Sequence, residues 1–103
     1  MSAVHRDENK LRWDLLPLKA VEQVIKVLTY GASKYESYNW YKGMKYSRLI
    51  GSVDRHWIEW RLGSKADKES GIHPLGHSIC DQLFLLTYEL EQRSDLDDRV
   101  ESR

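Results

Sequence analysis

Apolar residues recur every three or four positions in three segments of the chain, and this spacing predicts three amphipathic helices. The helices should cover about residues 17–32, 47–62 and 73–93. The residues expected to begin or end them are Pro17, Gly31, Ser47, Gly63 and either Ser70 or His73. The predicted fold class is therefore all-α, a small helical bundle with three main helices.

The third segment is expected to form the centre of the bundle, because two of its faces carry residues that are typically shielded from solvent. The first, called here the apolar face, consists of Ile72, Leu75, Ile79, Leu83, Leu86 and Leu90. The second, called here the histidine stripe, carries His73, His77 and Asp81 one turn apart and continues with Phe84 and Tyr88. One face fits the core of the monomer, and the other can line a cavity or a subunit interface.

The segment between the first two helices predicts a long aromatic-rich loop. Six aromatic residues fall from Tyr30 to Tyr46, and Gly43 interrupts any regular period. Such rings can stack on a nucleobase, with Asn39 and Trp40 nearest to it, or can fill the core of a small helical domain. We expect both roles.

Polar segments bound the predicted domain at both ends. Residues 1–12 form a polar N-terminal arm, residues 13–93 the helical domain, and residues 94–103 a charged C-terminal tail that should fray. The residues expected to bring the chain onto its core after the arm are Trp13, Leu15 and Leu16.

Composition narrows the class of protein. The 103 residues include 16 Lys plus Arg and 16 Asp plus Glu, so the net charge is zero and general binding to nucleic acid is not expected. Cys80 is the single cysteine, which excludes an internal disulfide and a thiolate-rich zinc site. With no apolar run near ~18 residues and no signal-peptide core, we expect no membrane association and a cytoplasmic location. Because so short a chain buries a modest share of its surface, we expect a homo-oligomer, a dimer or tetramer.

Histidines and carboxylates are grouped in a pattern that suits a divalent cation. His56 and Glu59 are three residues apart on the second helix, and Asp67 and Glu69 shortly precede the histidine stripe. Oxygen-rich sets of this kind suit Mg²⁺ or Mn²⁺. Each group also has a plainer interpretation: hydrogen-bonded core histidines, an Arg–Glu network on a helix surface, and a solvated charged turn.

Four runs of sequence together resemble one protein family. They are KLRWDLLP at 10–17, GASKYESYNW at 31–40, RHWIEWRLG at 55–63 and DKESGIHPLGH at 67–77. Their order and spacing resemble the dATP/dGTP diphosphohydrolase N-terminal domain, a family found largely in phages and similar to the all-α, MazG-like nucleoside triphosphate pyrophosphohydrolases.

This resemblance implies an activity for residues 13–93. It implies hydrolysis of a purine deoxynucleoside triphosphate, dATP or dGTP, to monophosphate and pyrophosphate. It also implies a divalent cation, Mg²⁺ or Mn²⁺, a homo-oligomer and, for a phage-encoded chain, the host cytoplasm.

The same resemblance, read with the residue types, implies roles for particular side chains. The catalytic candidates are Arg55, His56 and His77. The substrate-binding candidates are Lys34, Tyr35, Asn39, Trp40 and His73. The metal-ligand candidates are Glu59, Asp67, Glu69 and Asp81. Arg55 and Lys34 would hold phosphates, while His56 or His77 would position the attacking water or a phosphate oxygen.

The chain departs from the related enzymes at two places. The paired-glutamate motif of MazG-like enzymes is replaced by His56 and Glu59 at a similar helical spacing. Ser64 stands after Gly63, where an acid is expected.

Two other functions are compatible with a small helical domain of this composition. An HD-type phosphohydrolase is also helical and rich in His and Asp, but it needs a His-Asp doublet that this sequence lacks. A non-catalytic helical module of a phage, binding a nucleotide or a host factor, would have the same core and the same histidine stripe. Release of pyrophosphate in the presence of metal separates this module from the enzyme.

Overall fold

The computed structural model describes Ala3, Val4 and residues 8–99, and these form three long helices joined by short segments. Helix α1 spans Leu18–Lys34, α2 spans Tyr46–Arg61 and α3 spans Pro74–Leu90. The three short 3-10 turns are Trp13–Leu15, Asn39–Lys42 and Ser94–Leu96. The described part of the chain contains no strand, which confirms the all-α prediction with three main helices. Within that part, no helix is both long and apolar enough to cross a membrane.

Helix α3 is central because it packs against both other helices. Small residues let it approach them closely: Gly76, Ser78 and Cys80 are all buried. A Cβ atom added at Gly76 would lie 3.1 Å from the Cβ of Gln23 on α1. On the other side, Ser78 Oγ donates a hydrogen bond of 3.2 Å to the backbone carbonyl of Val53 on α2. The central position predicted for the third helix is therefore confirmed.

The main core cluster uses the aromatic segment between α1 and α2. Tyr46, Leu49, Tyr88 and Leu96 form its buried centre. Trp40 stacks on Phe84 with ring centroids 5.0 Å apart, and the Tyr88 hydroxyl donates to the carbonyl of Trp40. This part of the aromatic segment therefore fills the core of the domain, as expected of one of its two roles.

The ends of the helices follow the sequence at His73 and depart from it at Gly31 and Ser47. Helix α1 does not end at Gly31 but continues to Lys34. His73 is the N-cap of α3, because its Nδ1 accepts a hydrogen bond of 3.0 Å from the Leu75 amide. The prediction that Ser47 caps α2 is wrong, because the helix begins at Tyr46 and its N-cap position is Lys45. Instead Asp98 accepts bonds from the Ser47 amide at 2.8 Å and hydroxyl at 2.6 Å, satisfying an amide that the first helical turn leaves open.

Two expectations about the ends of the chain are wrong. The segment after α3 does not fray over residues 94–99, because Leu96 is buried in the core and Asp98 binds the start of α2. Trp13 and Leu15 do not reach the core, and Trp13 is 75% exposed. The remainder of the predicted arm and tail, residues 1, 2, 5–7 and 100–103, lies outside the described residues.

The two faces of α3 lie in different surroundings, one in the monomer core and the other on the surface. The histidine stripe faces inward and ends in Phe84 and the buried Tyr88. The apolar face is exposed at Ile79, Leu83, Leu86 and Leu90, the last with 75% of its surface accessible. Four exposed apolar side chains along one face of a helix are typical of a surface that contacts another protein.

Candidate functional site

Helix α2 and the connection to α3 bring three metal-ligating side chains together. His56 and Glu59 lie one turn apart on α2, and Asp67 lies in the connection between α2 and α3. One ligand atom from each can be chosen so that all three lie within 4.8 Å of one another. His56 Nδ1 is 3.4 Å from a carboxylate oxygen of Glu59 and 3.7 Å from one of Asp67. We call these residues the His56–Glu59–Asp67 cluster.

Asp67 is held in the cluster by the turn that it begins. Its Oδ2 accepts hydrogen bonds from the amides of Glu69 and Ser70, both at 3.0 Å, and from the Ser70 hydroxyl at 3.2 Å. Burial alone would raise the pKa of Asp67, but the hydrogen bonds from Ser70 and Glu69 outweigh burial and lower it. The side chain is therefore ionised at neutral pH, with Oδ1 directed to His56.

Helix α3 contributes His77, which covers the cluster from the side. Its ring stacks on His56 with centroids 4.4 Å apart, and its Nε2 lies 2.6 Å from Ser70 Oγ. Tyr30 of α1 meets the same ring edge-on at 6.5 Å. Burial, and then the neighbouring His56, lower the pKa of His77, so its neutral form is favoured. When the Ser70 hydroxyl donates to Asp67, it accepts from the Nε2–H of His77.

The end of α1 forms an ion pair at the edge of the site. Lys34 and the Tyr30 hydroxyl both donate to Glu69 Oε1, the latter at 3.0 Å. The Lys34 ammonium lowers the pKa of Glu69 and lies 5.4 Å from the centre of the exposed Tyr35 ring. Glu69 is thus paired with Lys34 while Asp67 faces the cluster.

Two predicted residues lie beside this arrangement. Asp81 is half-buried one turn after His77, where burial raises its pKa and a hydrogen bond from Ser52 opposes that rise. Among the described residues, the group whose ligand atoms converge consists of the three cluster residues, without Asp81. Arg55 is exposed on α2 and exerts a weak attraction on the Asp81 carboxylate.

Three predicted substrate-binding residues have structural contacts of their own. His73 caps α3 through Nδ1. Asn39 and Trp40 lie in the short turn that packs on α3, with the Trp40 ring stacked on Phe84. These contacts leave their binding of a nucleotide a prediction.

Sequence reasoning missed three residues that support the site. Ser70 joins His77 to Asp67, and Tyr30 contacts both His77 and Glu69. The third is Ser64, whose Oγ lies 3.3 Å from Glu59 Oε1 and 3.0 Å from the Ala66 carbonyl. The Asp67-x-x-Ser70 spacing is a signal of an Asx turn and could have indicated the first. Tyr30 is 39 residues from Glu69 in the chain, so only the fold reveals it.

The cluster fits a divalent cation because one of its ligand atoms is buried without a hydrogen-bond partner. His56 Nδ1 is buried and has no hydrogen-bond partner, although a buried imidazole nitrogen without one is costly. The carboxylates of Glu59 and Asp67 face the same nitrogen. The three side chains together offer one nitrogen and two oxygen ligands within 4.8 Å of one another. Such a set suits Mn²⁺ or Mg²⁺ and lacks the thiolates common in structural zinc sites.

Comparison with known proteins gives two matches over nearly the whole chain. The family described as "dATP/dGTP diphosphohydrolase, N-terminal" matches residues 2–99. A protein of Salmonella phage PMBT28 named dATP/dGTP diphosphohydrolase is 32% identical over 99 residues, which is 96% of this chain. The chain covers 33% of that relative, so it spans about a third of its length. No solved structure matches significantly.

Proposed function

From the premise that the chain belongs to the dATP/dGTP diphosphohydrolase N-terminal family, we propose that it hydrolyses dATP or dGTP to monophosphate and pyrophosphate. The name of the phage relative supports this substrate class, but that relative is about three times longer. The observation that carries the proposal for this chain is the buried, unpartnered His56 Nδ1 facing two carboxylates. A site of this kind fits a metal-assisted hydrolase better than a helix packed only for stability.

The cation proposed is Mg²⁺ or Mn²⁺, held by His56, Glu59 and Asp67. When bound, such an ion neutralises phosphate charge and lowers the pKa of water. Of the four carboxylates expected to bind metal, Glu59 and Asp67 carry this proposal. Glu69 is engaged with Lys34, and Asp81 is hydrogen-bonded to Ser52.

The remaining side chains of the site hold protons and charges in place. His77 is neutral because burial lowers its pKa, so it can accept a proton from the attacking water. Ser70 connects it to the ionised Asp67, which fixes the orientation of the imidazole. Lys34, which pairs with Glu69, and Arg55, whose charge acts on Asp81, are the cations proposed for the phosphate chain, one as a point charge and the other as a fork.

In the proposed reaction one P–O bond forms and one breaks, and a proton of the attacking water passes to His77. The oxygen of water bonds to the α-phosphorus, the bond from that phosphorus to the bridging oxygen breaks, and pyrophosphate leaves. Chromatography of products from a nucleotide panel with Mg²⁺ or Mn²⁺ tests this directly. Deoxynucleoside monophosphate and pyrophosphate support the proposal; nucleoside with tripolyphosphate, or diphosphate with orthophosphate, contradict it. Nucleotide binding without any turnover would instead support a non-catalytic module.

We also propose that two or more copies of the chain assemble through the apolar face of α3. Ile79, Leu83, Leu86 and Leu90 are exposed and follow one another at intervals of four, three and four residues. This spacing lets the helices of two copies pack side by side with interdigitating side chains. The partner proposed is therefore a second copy of this chain.

Replacing Leu86 with glutamate is expected to convert the oligomer to a monomer, because the charge would be buried between two copies. Sedimentation velocity at micromolar concentration measures the change, and circular dichroism should show unchanged helix content. Leu62→Glu is the matched control, since Leu62 is exposed but lies beyond the end of α2. A wild-type chain that sediments as a monomer would overturn the assembly.

A further inference from the structure

A shallow cavity of about 320 Å³, widely open to solvent, lies at the carboxyl end of α2. Its lining consists of Trp60, Arg61, Gly63, Ser64 and Lys65. The chain reverses there at Gly63, whose φ of 105° suits glycine, and the Gly63 amide donates to the Trp60 carbonyl at 2.9 Å. Its volume lies in the range of about 300–1,000 Å³ typical of small-molecule sites.

This cavity adjoins the His56–Glu59–Asp67 cluster through one residue. Ser64 lines the cavity, and its Oγ lies 3.3 Å from Oε1 of Glu59 and 3.0 Å from the Ala66 carbonyl, the two acceptors for its single proton. The Ser64 amide also donates to the Glu59 carbonyl at 3.1 Å, which fixes the turn against α2. A ligand whose phosphates lie at the cluster can therefore extend past Ser64 into the cavity.

The chemistry of the lining suits an aromatic anion. Trp60 is 37% exposed, so part of its indole is accessible from solvent. The ring of Trp57 lies beside it at a centroid distance of 5.2 Å and is not part of the cavity lining. Arg61 and Lys65 add two positive charges to the same walls. An accessible indole next to cations is the combination that stacks on a base and attracts its phosphates.

We propose that this cavity is the base subsite, in which Trp60 stacks on the purine of the deoxynucleotide while Arg61 and Lys65 face its phosphate-bearing side. The proposal rests on the proposed function for the identity of the ligand. The residue proposed to stack on the base is then Trp60, whose indole is accessible, and not Trp40, whose ring stacks on Phe84.

The test measures binding without turnover. Wild-type chain, Trp60→Ala and Trp57→Ala are titrated by calorimetry, in Mn²⁺, with α,β-methylene-dGTP and with inorganic tripolyphosphate. Trp60→Ala should weaken binding of the nucleotide analogue by about 10- to 100-fold, the scale of one lost base stack, and leave tripolyphosphate binding unchanged. Trp57→Ala, the neighbouring indole outside the lining, should bind both as wild type does. Trp60→Phe should recover most of the affinity, because a phenyl ring also stacks.

Several results would overturn the subsite. They are wild-type affinity of Trp60→Ala for the analogue, an equal loss for tripolyphosphate, or no analogue binding by the wild-type chain. The outcome is separable from that of the proposed hydrolysis. A chain that binds the analogue through Trp60 but releases no pyrophosphate keeps the subsite and loses the hydrolase. If the chain releases pyrophosphate and Trp60→Ala binds the analogue normally, the hydrolase is supported and the subsite is ruled out.

Discussion

Replacing Glu59 with glutamine is expected to lower both Mn²⁺ affinity and nucleotide turnover by about 100-fold or more. Loss of a residue that merely supports a metal ligand typically costs about 10–100-fold in affinity, so loss of a direct ligand should cost at least the upper end. The substitution keeps the shape of the side chain, and the new amide oxygen can still accept the hydrogen bond from Ser64. Calorimetric titration with Mn²⁺ and a pyrophosphate assay measure the two losses.

Stability should change in the opposite direction from metal affinity. In the metal-free chain, the Glu59 and Asp67 carboxylates face each other across His56 within 4.8 Å. Like charges at this separation repel, so neutralising Glu59 should leave the thermal midpoint unchanged or raise it. Asp54→Asn, at an exposed position of the same helix, is the matched control and should alter neither property. Unchanged Mn²⁺ affinity in Glu59→Gln would contradict the metal centre.

Replacing His77 with alanine is expected to reduce turnover by about 10²–10⁴-fold, the usual effect of removing a general base. The imidazole stacks on His56 and bonds Ser70, so its loss removes a proton acceptor next to the cluster. Circular dichroism should show that the helices remain. If His77 serves only for packing, the variant should lose stability while its folded fraction keeps wild-type turnover.

The pH dependence gives a second measurement of His77. Burial and His56 lower its pKa below the ordinary value of about 6.5, so the acid limb of the activity profile should lie below pH 6.5. The unfolded chain binds this proton more readily than the folded chain. The His77 contribution to the free energy of unfolding is therefore complete above pH 6.5 and decreases as the pH falls through the folded pKa. His77→Gln should flatten this part of the stability curve.

The three helices could be predicted from sequence because their signals are local. Periodic apolar residues define each helix, and His73 followed by Pro74 marks the beginning of α3. The cap of α2 could not be predicted, because Asp98 acts on Ser47 from 51 residues away. The predicted burial of Trp13 is wrong as well. A large apolar residue suggests burial, but the sequence does not specify which residues would cover it.

The orientation of α3 shows why periodicity alone does not determine packing. Hydropathy favours the apolar face over the histidine stripe as the side that packs in the core, but the structure places the histidine stripe inside. Close approach decides it: Gly76 and Ser78 allow α1 and α2 to pack on the side that carries His77. The more apolar side is consequently left on the surface of the monomer.

The candidate site was partly predictable for the same reason. His56 and Glu59 are one turn apart on a helix, so their proximity follows from local geometry. Their meeting with Asp67 depends on how the connection folds back, and the sequence could only name Asp67 as a candidate. Glu69 is two residues from Asp67 yet points to Lys34, a distinction that spacing does not reveal.

We propose that this chain directs water to the α-phosphorus of a purine deoxynucleoside triphosphate at the His56–Glu59–Asp67 cluster. Hydrolysis of dGTP by the purified chain with Mn²⁺ in ¹⁸O-labelled water, followed by mass spectrometry of the products, tests it most directly. The label should appear in dGMP, the pyrophosphate should be unlabelled, and Glu59→Gln should form little of either product. Label in the pyrophosphate, release of tripolyphosphate, or equal turnover by Glu59→Gln would contradict the claim.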